Sequence, residues 1–224
     1  GFDGPISVAR LINSGVKYDA EKDLTPVALV TTAPVVLLAR PGLPVNNMDE
    51  LIALARAKPD TLTYASSGVG TVLHLSIEVL QDQAKVKLVH VPYRGGAQIT
   101  NDVMGGQVDL GLLVTTSATP LVQQNKLRAL GVTSAERVAT LAGVQAFAET
   151  AELKGFELNT WMGVFAPAGT DPQVVRQLNQ ALNAVLKLDD VQKAAGRRRR
   201  HRGRGLAGRF RRLPEEGKGR VRAH

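Results

Sequence analysis

Cysteine is absent from this 224-residue sequence, aromatic residues make up only 4% of it, and Trp161 is its single tryptophan. Without cysteine the chain forms no disulfide, no thiolate zinc site and no cysteine nucleophile. Its apolar runs stay well short of the ~20 residues that a membrane-spanning helix needs, so the sequence predicts no transmembrane segment. The composition is 44% hydrophobic and 21% charged, which is ordinary for a globular protein and excludes a wholly disordered chain.

Negative charge is scarce at the C-terminal end, where the positive charge is concentrated. Residues 197–224, the basic tail, hold 12 of the 28 Lys and Arg residues but only 2 of the 20 Asp and Glu residues. The whole chain has a formal net charge of +8, whereas residues 1–196 alone have a net charge of −2. Any argument from basicity to nucleic-acid binding therefore concerns the tail only.

Three interpretations of the basic tail stay open. It is a basic arm that neutralises phosphates, a disordered solvated segment, or the product of GC-rich DNA translated in a shifted frame. The frameshift interpretation can be checked against the genetic code. The codons of FRRLPEE (210–216), read one base later, permit Phe-Ala-Ala-Phe-Leu-Lys-Lys, which is an amphipathic helical pattern. The chain also begins at Gly1, with no basic and apolar leader, which predicts a fragment or a processed chain.

Short apolar segments alternate with helical patterns of about ten residues. This alternation predicts an α/β fold of parallel βαβ units, because near-continuous apolar strands are typical of sheets that helices cover on both faces. Asn47 is a suitable N-cap for the first of the long helices. The predicted strands are 27–30, 35–39, 62–65, 87–91, 108–114, 127–132 and 156–167. The predicted helices are 48–58, 72–83, 97–104, 117–124 and one that begins at 171.

A glycine-containing loop, Ser66-Ser67-Gly68-Val69-Gly70-Thr71, lies between a predicted strand and a predicted helix. Such a junction presents unpaired backbone N–H groups and the positive end of a helix dipole, which suit an anion. Its two glycines allow a close approach to a ligand, and its three hydroxyls add donors. The alternative is an ordinary N-cap turn. The pattern lacks the third glycine of a dinucleotide fingerprint, the Gly-Lys-Ser/Thr of a phosphate loop and a Gly-x-Ser-x-Gly elbow.

Two further strand ends carry polar residues that we expect at the same edge of the sheet. Tyr93 could donate a hydrogen bond into the crevice, and Thr115 and Thr116 add hydroxyls after the next strand. Arg94 could pair with a carboxylate, although a solvated side chain is the favoured interpretation.

The sequence shows no catalytic or metal-binding motif with suitable spacing. His74 and His90 are sixteen residues apart without nearby ligand partners, so we interpret them as packed or surface histidines, and no paired carboxylates stand out. The sequence thus predicts a polar, anion-accepting cleft with no metal, no cofactor and no enzymatic activity.

Seven segments, which follow one another in family order over about residues 1–196, carry a family resemblance. The chain resembles the Bug family of periplasmic solute-binding proteins, the receptors of tripartite tricarboxylate transporters. Each segment is weak alone, and the ordered set is specific. The segments are YDAEKDLTPVALV (18–30), LPVNNMDELIALARAKP (43–59), LTYASSGVGT (62–71), VHVPYRG (89–95), GGQVD (105–109), KLRALGVTSAER (126–137) and GFELNTWMGVFAPAGT (155–170).

The resemblance implies a two-lobed periplasmic-binding-protein type II fold with an incomplete first lobe. Residues 1–32 and 165–196 would belong to lobe one and residues 33–164 to lobe two, joined by extended segments near 31–34 and 162–167. The family's signal peptide, first strand, Gly-rich loop, next βαβ unit and final helices have no counterpart here. Residues 1–5 would then border the site.

The resemblance also implies a small carboxylate ligand, held between the lobes by backbone amides, hydroxyls and ordered water. The protein would be periplasmic and would deliver this ligand to membrane transporter subunits. The positions carried over from the family are Ser66, Gly68, Gly70, Thr71 and Tyr93. Thr115 and Thr116 are added by the strand-end argument, and Ser67 by the hydroxyls of the glycine-containing loop.

Other functions compete with this hypothesis. An enzyme on the same sheet would need a nucleophile, a base or a metal. A nucleic-acid-binding protein would act through the basic tail, and its binding would fall steeply with salt. A non-functional truncated product is a further alternative. Under the receptor hypothesis Trp161 lies on a segment that joins the lobes, and we expect its fluorescence to report closure.

Overall fold

A computed structural model describes residues 1–8 and 14–194, with side chains described as far as residue 192. The basic tail and its three interpretations therefore lie outside the described residues. The chain divides into two compact units. Unit 1 comprises Gly1–Thr32 and Trp161–His224, and unit 2 comprises Ala33–Thr160. The assignment of these segments to two lobes stays a prediction.

Six strands and seven α-helices are present in the described part of the chain. The strands are β1 (Leu24–Ala39), β2 (Thr63–Ser66), β3 (Val89–Pro92), β4 (Leu110–Val114), β5 (Arg128–Val132) and β6 (Asn159–Pro167). The α-helices are α1 (Ala20–Asp23), α2 (Met48–Ala57), α3 (Val72–Ala84), α4 (Gly96–Met104), α5 (Thr115–Gln123), α6 (Pro172–Val185) and α7 (Asp189–Ala194). Short turns of π- or 3₁₀-helix lie at Gly4–Val8, Ala139–Leu141, Phe147–Glu149 and Ala151–Leu153.

The sheet of unit 2 has the strand order β3-β2-β4-β1-β5. Strand β2 runs parallel to both β3 and β4, as the alternation of strands and helices predicted. Strand β1 is outside this parallel pattern, because it lies between β4 and β5 and is antiparallel to both. This pairing is non-local, and the periodicity of a single strand does not indicate it. Strands β2, β3, β4 and β5 consequently all point in one direction.

Strand β1 is continuous, whereas the sequence analysis gave two strands, 27–30 and 35–39, joined by residues 31–34, which the family resemblance made extended. All 16 residues from Leu24 to Ala39 are extended, and Pro34 lies inside the strand. Proline is compatible with extended backbone because its fixed φ lies in the β region, so the Thr-Thr-Ala-Pro sequence does not force a turn. The helix predicted at 117–124 likewise begins two residues early, at Thr115.

Side chains of β1 alternate between two apolar clusters, one on each face of the sheet. Val35, Leu37 and Ala39 belong to a cluster that includes buried residues of α2 and α3. Val36 and Leu38 belong to the other cluster, which includes buried residues of α4 and α5. Because both faces are covered, the strand needs apolar side chains at every position, which explains its continuous apolar sequence.

Two helix starts in unit 2 follow from residues that suit an N-cap. The Asn47 side chain accepts the N–H of Glu50, and the Thr71 side chain accepts the N–H of His74. The first of these confirms the predicted start of α2. An N-cap of this kind stabilises a helix by about 1 kcal/mol.

Unit 1 has a small apolar core around Val27, Ala28 and Ala166, with Val175 of α6 packed against it. Strand β6 pairs with β1, and Phe2 forms an isolated antiparallel bridge with Met162. Helix α6 begins at Pro172, with the Asp171 side chain accepting the N–H of Gln173, as the sequence predicted.

Candidate functional site

Three strands of unit 2 end at one edge of the sheet, and each is followed within a few residues by a helix. Parallel pairing puts Ser66, the last residue of β2, opposite Pro92, the last residue of β3. Strand β4 pairs with β2 in the same direction, so its end at Val114 lies at this edge too. Helices α3, α4 and α5 therefore begin where these strands end, an arrangement that commonly binds ligands in α/β proteins.

The turn Ser66–Thr71 connects β2 to α3 and is closed by its own hydroxyls. Ser66 Oγ accepts the N–H of Gly68 at 3.2 Å. Thr71 Oγ1 donates to the Gly68 carbonyl at 2.8 Å and accepts the N–H of His74 at 3.4 Å. Ser67 Oγ lies 3.5 Å from Thr71 Oγ1. The turn is thus an N-cap turn, which was the alternative considered, and its role as a ligand site stays a prediction.

Both glycines of the turn are required by its backbone. Gly68 has φ +120° and Gly70 has φ +79°, values in the region that other residues rarely adopt. A methyl group on Gly68 would meet no atom within 4 Å, so the constraint at this position is conformational rather than steric.

A cluster of polar aromatic side chains lies beneath this turn, and the sequence analysis missed it. His90 Nε2 is 2.7 Å from Ser66 Oγ, and the His90 ring is centred 4.4 Å from the His74 ring. The Tyr64 ring stacks on His90 at 4.8 Å, and its hydroxyl donates to Glu78 Oε1 at 2.8 Å. Parallel pairing sets Tyr64 opposite His90 and so brings the two histidines together.

Burial sets the protonation states in this cluster. It lowers the pKa of His74 below the usual 6.5, against the opposing effect of the Glu78 carboxylate. Burial also lowers the pKa of His90, and the neighbouring His74 lowers it further, while Glu78 opposes both effects. Burial, with the hydrogen bond to Glu78, raises the pKa of Tyr64 far above its usual value. The two imidazoles are therefore neutral at pH 7.

The pair formed by Ser66 and His90 does not present a nucleophile. Ser66 is fully buried, and its Oγ is already held by the Gly68 N–H. A serine nucleophile needs an accessible oxygen and a base aligned by a third group. The short contact is consistent with the interpretation of His90 as a packed histidine.

Tyr93 lies at the end of β3, and its backbone N–H donates to the Ser66 carbonyl at 2.9 Å. Its hydroxyl donates to Asp102 Oδ2 of α4 at 2.7 Å. Burial and this bond raise the pKa of Tyr93 to about 12. The expected donation from Tyr93 to a ligand would require this hydroxyl to exchange partners.

An open cavity of about 400 Å³ lies beside Tyr93, between the end of β3 and α4. The exposed Arg94 is the cationic side chain in its lining. The cavity is lined by Pro92, Tyr93, Arg94, Gln98, Asn101 and Asp102.

Thr115 and Thr116 are the first two residues of α5 rather than the end of a strand. Thr115 is buried and Thr116 is exposed. Neither α5, with Val114 as N-cap, nor α4, with Gly95 as N-cap, has a hydrogen bond from its first N–H groups to the side chain of the N-cap residue. Gln98 Oε1 of α4 accepts the N–H of Arg94, which precedes the N-cap, at 3.3 Å. The first N–H groups of both helices thus lack a capping side chain, and the positive end of each dipole lies at the edge where the strands end.

Among the described residues, no group of three or more His, Asp or Glu side chains could hold a metal ion. The helices that the structure describes include none with the length and apolarity to span a membrane. A sheet covered by helices on both faces, with hydroxyls and helix N-termini at the ends of its parallel strands, places this chain among the α/β proteins, which commonly bind ligands at that edge.

Comparison with known sequences gives the family. Residues 4–195 match the family described as tripartite tricarboxylate transporter family receptor, TctC. The chain belongs to this family, which confirms the predicted resemblance. It is 40% identical over 187 residues to a UPF0065 protein from the tcbD-tcbE intergenic region of Pseudomonas sp. strain P51. That match covers 84% of this chain but only 56% of the Pseudomonas protein.

Solved structures confirm the predicted α/β fold of periplasmic binding proteins. Rpa4515 of R. palustris, solved with adipate, is 32% identical with a TM-score of 0.79, over 87% of this chain and 64% of that one. MatC from Rhodopseudomonas palustris, with bound malate, is 33% identical with a TM-score of 0.77, over 86% and 65% of the two chains. The chain thus spans between half and two thirds of the length of these relatives.

Proposed function

We propose that this chain acts in a periplasmic receptor that captures a small carboxylate and delivers it to a tripartite tricarboxylate-type membrane transporter. Family membership supports this role. Two solved relatives were obtained with adipate and with malate, which supports a dicarboxylate as the kind of ligand. We further propose that residues 33–164 form one lobe, and that residues 1–32 and 165–196 belong to the other.

One observation carries the proposal: two helices begin without a capping side chain at the edge where the parallel strands end. The first N–H groups of a helix need acceptors, and a carboxylate oxygen is a good one because it also interacts favourably with the helix dipole. A charge-assisted bond of this kind is roughly twice as strong as a neutral one. The edge needs no salt bridge to hold an anion.

The side chains proposed to hold the ligand lie at the starts of the three helices that follow β2, β3 and β4. Ser67 and Thr116 are not fully buried, and their hydroxyls are the more available donors. The remaining positions shape or support the edge: Ser66, Gly68, Gly70, Thr71, Tyr93 and Thr115.

Calorimetric titration tests the proposal with adipate, malate and the uncharged diamide of adipate. We expect the dicarboxylates to bind and the diamide not to bind, because the helix starts favour a negative charge. Ser67→Ala or Thr116→Val should weaken binding roughly ten-fold, the effect of losing about 1.5 kcal/mol from a hydrogen bond to a charged group.

Thr61→Val is the matched control for these variants. Thr61 is exposed and precedes β2, at the opposite end of the strand from Ser66. Its substitution should leave the affinity unchanged. Equal binding of adipate and its diamide, or equal losses in Thr61→Val and Thr116→Val, would contradict a carboxylate site at this edge.

A further inference from the structure

The turn Ser66–Thr71 rests on two imidazoles, and each contact depends on a protonation state. His74 Nδ1 accepts the N–H of Gly70 at 3.4 Å, so this nitrogen carries no proton. His74 Nε2 lies 3.6 Å from Glu78 Oε1, which places the single ring proton on Nε2. His90 Nε2 meets Ser66 Oγ at 2.7 Å, and the same oxygen accepts the N–H of Gly68.

Protonation of His74 would remove the support of Gly70. A second ring proton can add only at Nδ1, where it would face the Gly70 N–H, so an attractive contact would become a repulsive one. Gly70 is buried, and its N–H would then need another acceptor.

In the tautomer that carries its proton on Nδ1, His90 accepts the Ser66 hydroxyl hydrogen at Nε2, and protonation of this ring would reorganise Ser66. An imidazolium donates from both nitrogens, so Ser66 Oγ would have to accept from Nε2. The serine hydrogen could then point to the Gly68 carbonyl, 3.4 Å away, or out of the turn. Either choice changes the hydrogen bonding at Gly68.

We infer that His74, and His90 in the tautomer that carries its proton on Nδ1, act as positioning residues that hold this turn in shape only while they are neutral, which makes the turn sensitive to acid. The effect on the turn stands on the geometry of unit 2 alone. The effect on a ligand rests on the proposed function, because it requires that a carboxylate binds beside the turn.

The charged and titratable groups around the pair decide how it takes up a proton. Helix α3 contributes His74 and Glu78, β2 contributes Tyr64 and β3 contributes His90. With the ring centres 4.4 Å apart, two positive charges would repel strongly. Glu78 lies beside His74, so we expect the first proton to add to His74. Burial lowers the pKa of His74 below its usual 6.5.

The ligand-free test is an NMR titration of the whole chain from pH 8 to pH 5. The imidazole carbons and the amides of Gly68 and Gly70 are followed together. We expect the Gly70 amide to shift with the same midpoint as His74, below pH 6.5. The amide of Gly143, an exposed glycine of unit 2 away from the turn, is the internal control and should not follow. A Gly70 amide that stays constant while His74 titrates would overturn the inference.

Two conservative variants separate positioning from folding. His74→Asn places an amide oxygen near the position of Nδ1 and does not titrate, so it should keep the turn and abolish the transition at Gly70. His90→Gln does the same for the contact with Ser66 and should abolish the transition at Gly68. If both transitions persist unchanged in these variants, the histidines do not cause them. The wild-type titration remains decisive if a variant does not fold.

Adipate affinity at pH 7.5 and pH 5.5 tests the consequence for ligand binding. Protonation of adipate itself affects wild type and variant alike, so the ratio of their affinities isolates the protein. Wild type should lose roughly ten-fold more affinity than His74→Asn, the change that one pKa unit of coupling produces. Equal losses would overturn the link between the turn and binding. If no variant binds adipate at either pH, the proposed function fails, and the amide titration still decides the inference about the turn.

Discussion

At the scale of single residues, the Asp109 carboxylate joins three strands of unit 2. Its Oδ1 accepts from Arg40 Nε at 2.8 Å, and its Oδ2 accepts the N–H and the hydroxyl of Thr63 at 3.0 and 3.1 Å. Burial alone would raise the pKa of Asp109, but the bonds from Thr63 and Arg40 outweigh it and lower that pKa below 3.8. The ionised form is therefore the one that stabilises the fold.

We expect Asp109→Asn to lower the free energy of unfolding by about 1–3 kcal/mol at pH 7, because an amide nitrogen would face a donor. Since the folded-state pKa is depressed, the stabilisation is fully present above the unfolded value and is lost as pH falls through the folded value. Urea unfolding at pH 7, 5 and 3 should show a constant deficit at pH 7 and 5 and a smaller one at pH 3. Asp82→Asn, which loses an exposed ion pair with Lys85, should cost less than about 0.5 kcal/mol. A deficit that persists at pH 3 would assign the effect to packing instead.

At the scale of elements, local signals identified helices better than strand pairing. Helix α2 could be predicted almost to the residue, because Asn47 caps it and its apolar residues recur at helical spacing. The antiparallel insertion of β1 between β4 and β5 could not, since it depends on contacts up to about a hundred residues apart along the chain. The periodicity gave two strands, 27–30 and 35–39, and only the family resemblance indicated that the residues between them are extended.

In the candidate site, too, the features formed by neighbouring residues could be predicted, and those formed by strand pairing could not. The turn Ser66–Thr71 could be recognised because its glycines and hydroxyls are contiguous in the sequence. The contact between His74 and His90 was missed because only the pairing of β2 with β3 brings these residues together. Knowledge of the parallel register, which sets Tyr64 opposite His90, would have indicated the contact between the two histidines. The partner of the Tyr93 hydroxyl, Asp102, lies on the next helix, and no sequence spacing indicated that bond.

The close packing of α4 on β4 depends on a glycine, Gly111, which has no side chain. A Cβ atom on Gly111 would lie 2.6 Å from Val103 Cγ2 and 2.9 Å from Ile99 Cγ2. We expect Gly111→Ala to cost about 1–3 kcal/mol of stability, because the helix would have to move or its side chains leave their rotamers. Thermal and urea unfolding measure this cost.

Gly143→Ala is the matched control, because a Cβ atom there would meet nothing within 4 Å and its backbone is not left-handed. Adding Val103→Ala to Gly111→Ala should recover part of the loss, so the two changes should not be additive. Similar costs at Gly111 and Gly143, or full additivity, would contradict a steric limit on the approach of α4.

At the scale of the whole molecule, the apolar cores of the two units differ greatly in size. Among the residues that the structure describes, unit 1 has a buried cluster of three, Val27, Ala28 and Ala166. Unit 2 has two clusters, which together include large buried side chains such as Tyr64, Phe147 and Phe156. Since burial of one large apolar side chain contributes about 1.5–3 kcal/mol, most of the hydrophobic stabilisation lies in unit 2.

We therefore expect unit 1 to open at lower denaturant concentration than unit 2. Trp161, the single tryptophan, is buried in unit 1, so its fluorescence reports that unit, whereas the near-ultraviolet signal of the buried Tyr64 reports unit 2. The transition followed by Trp161 should precede the one followed by the near-ultraviolet signal of Tyr64. Hydrogen exchange should likewise show β2, β4 and β5 as the most protected segments, because amides of a large core exchange only on global unfolding. Coincident transitions would mean that both units unfold as one cooperative structure. A change in Trp161 fluorescence on binding adipate would then report a change in that whole structure rather than in unit 1 alone.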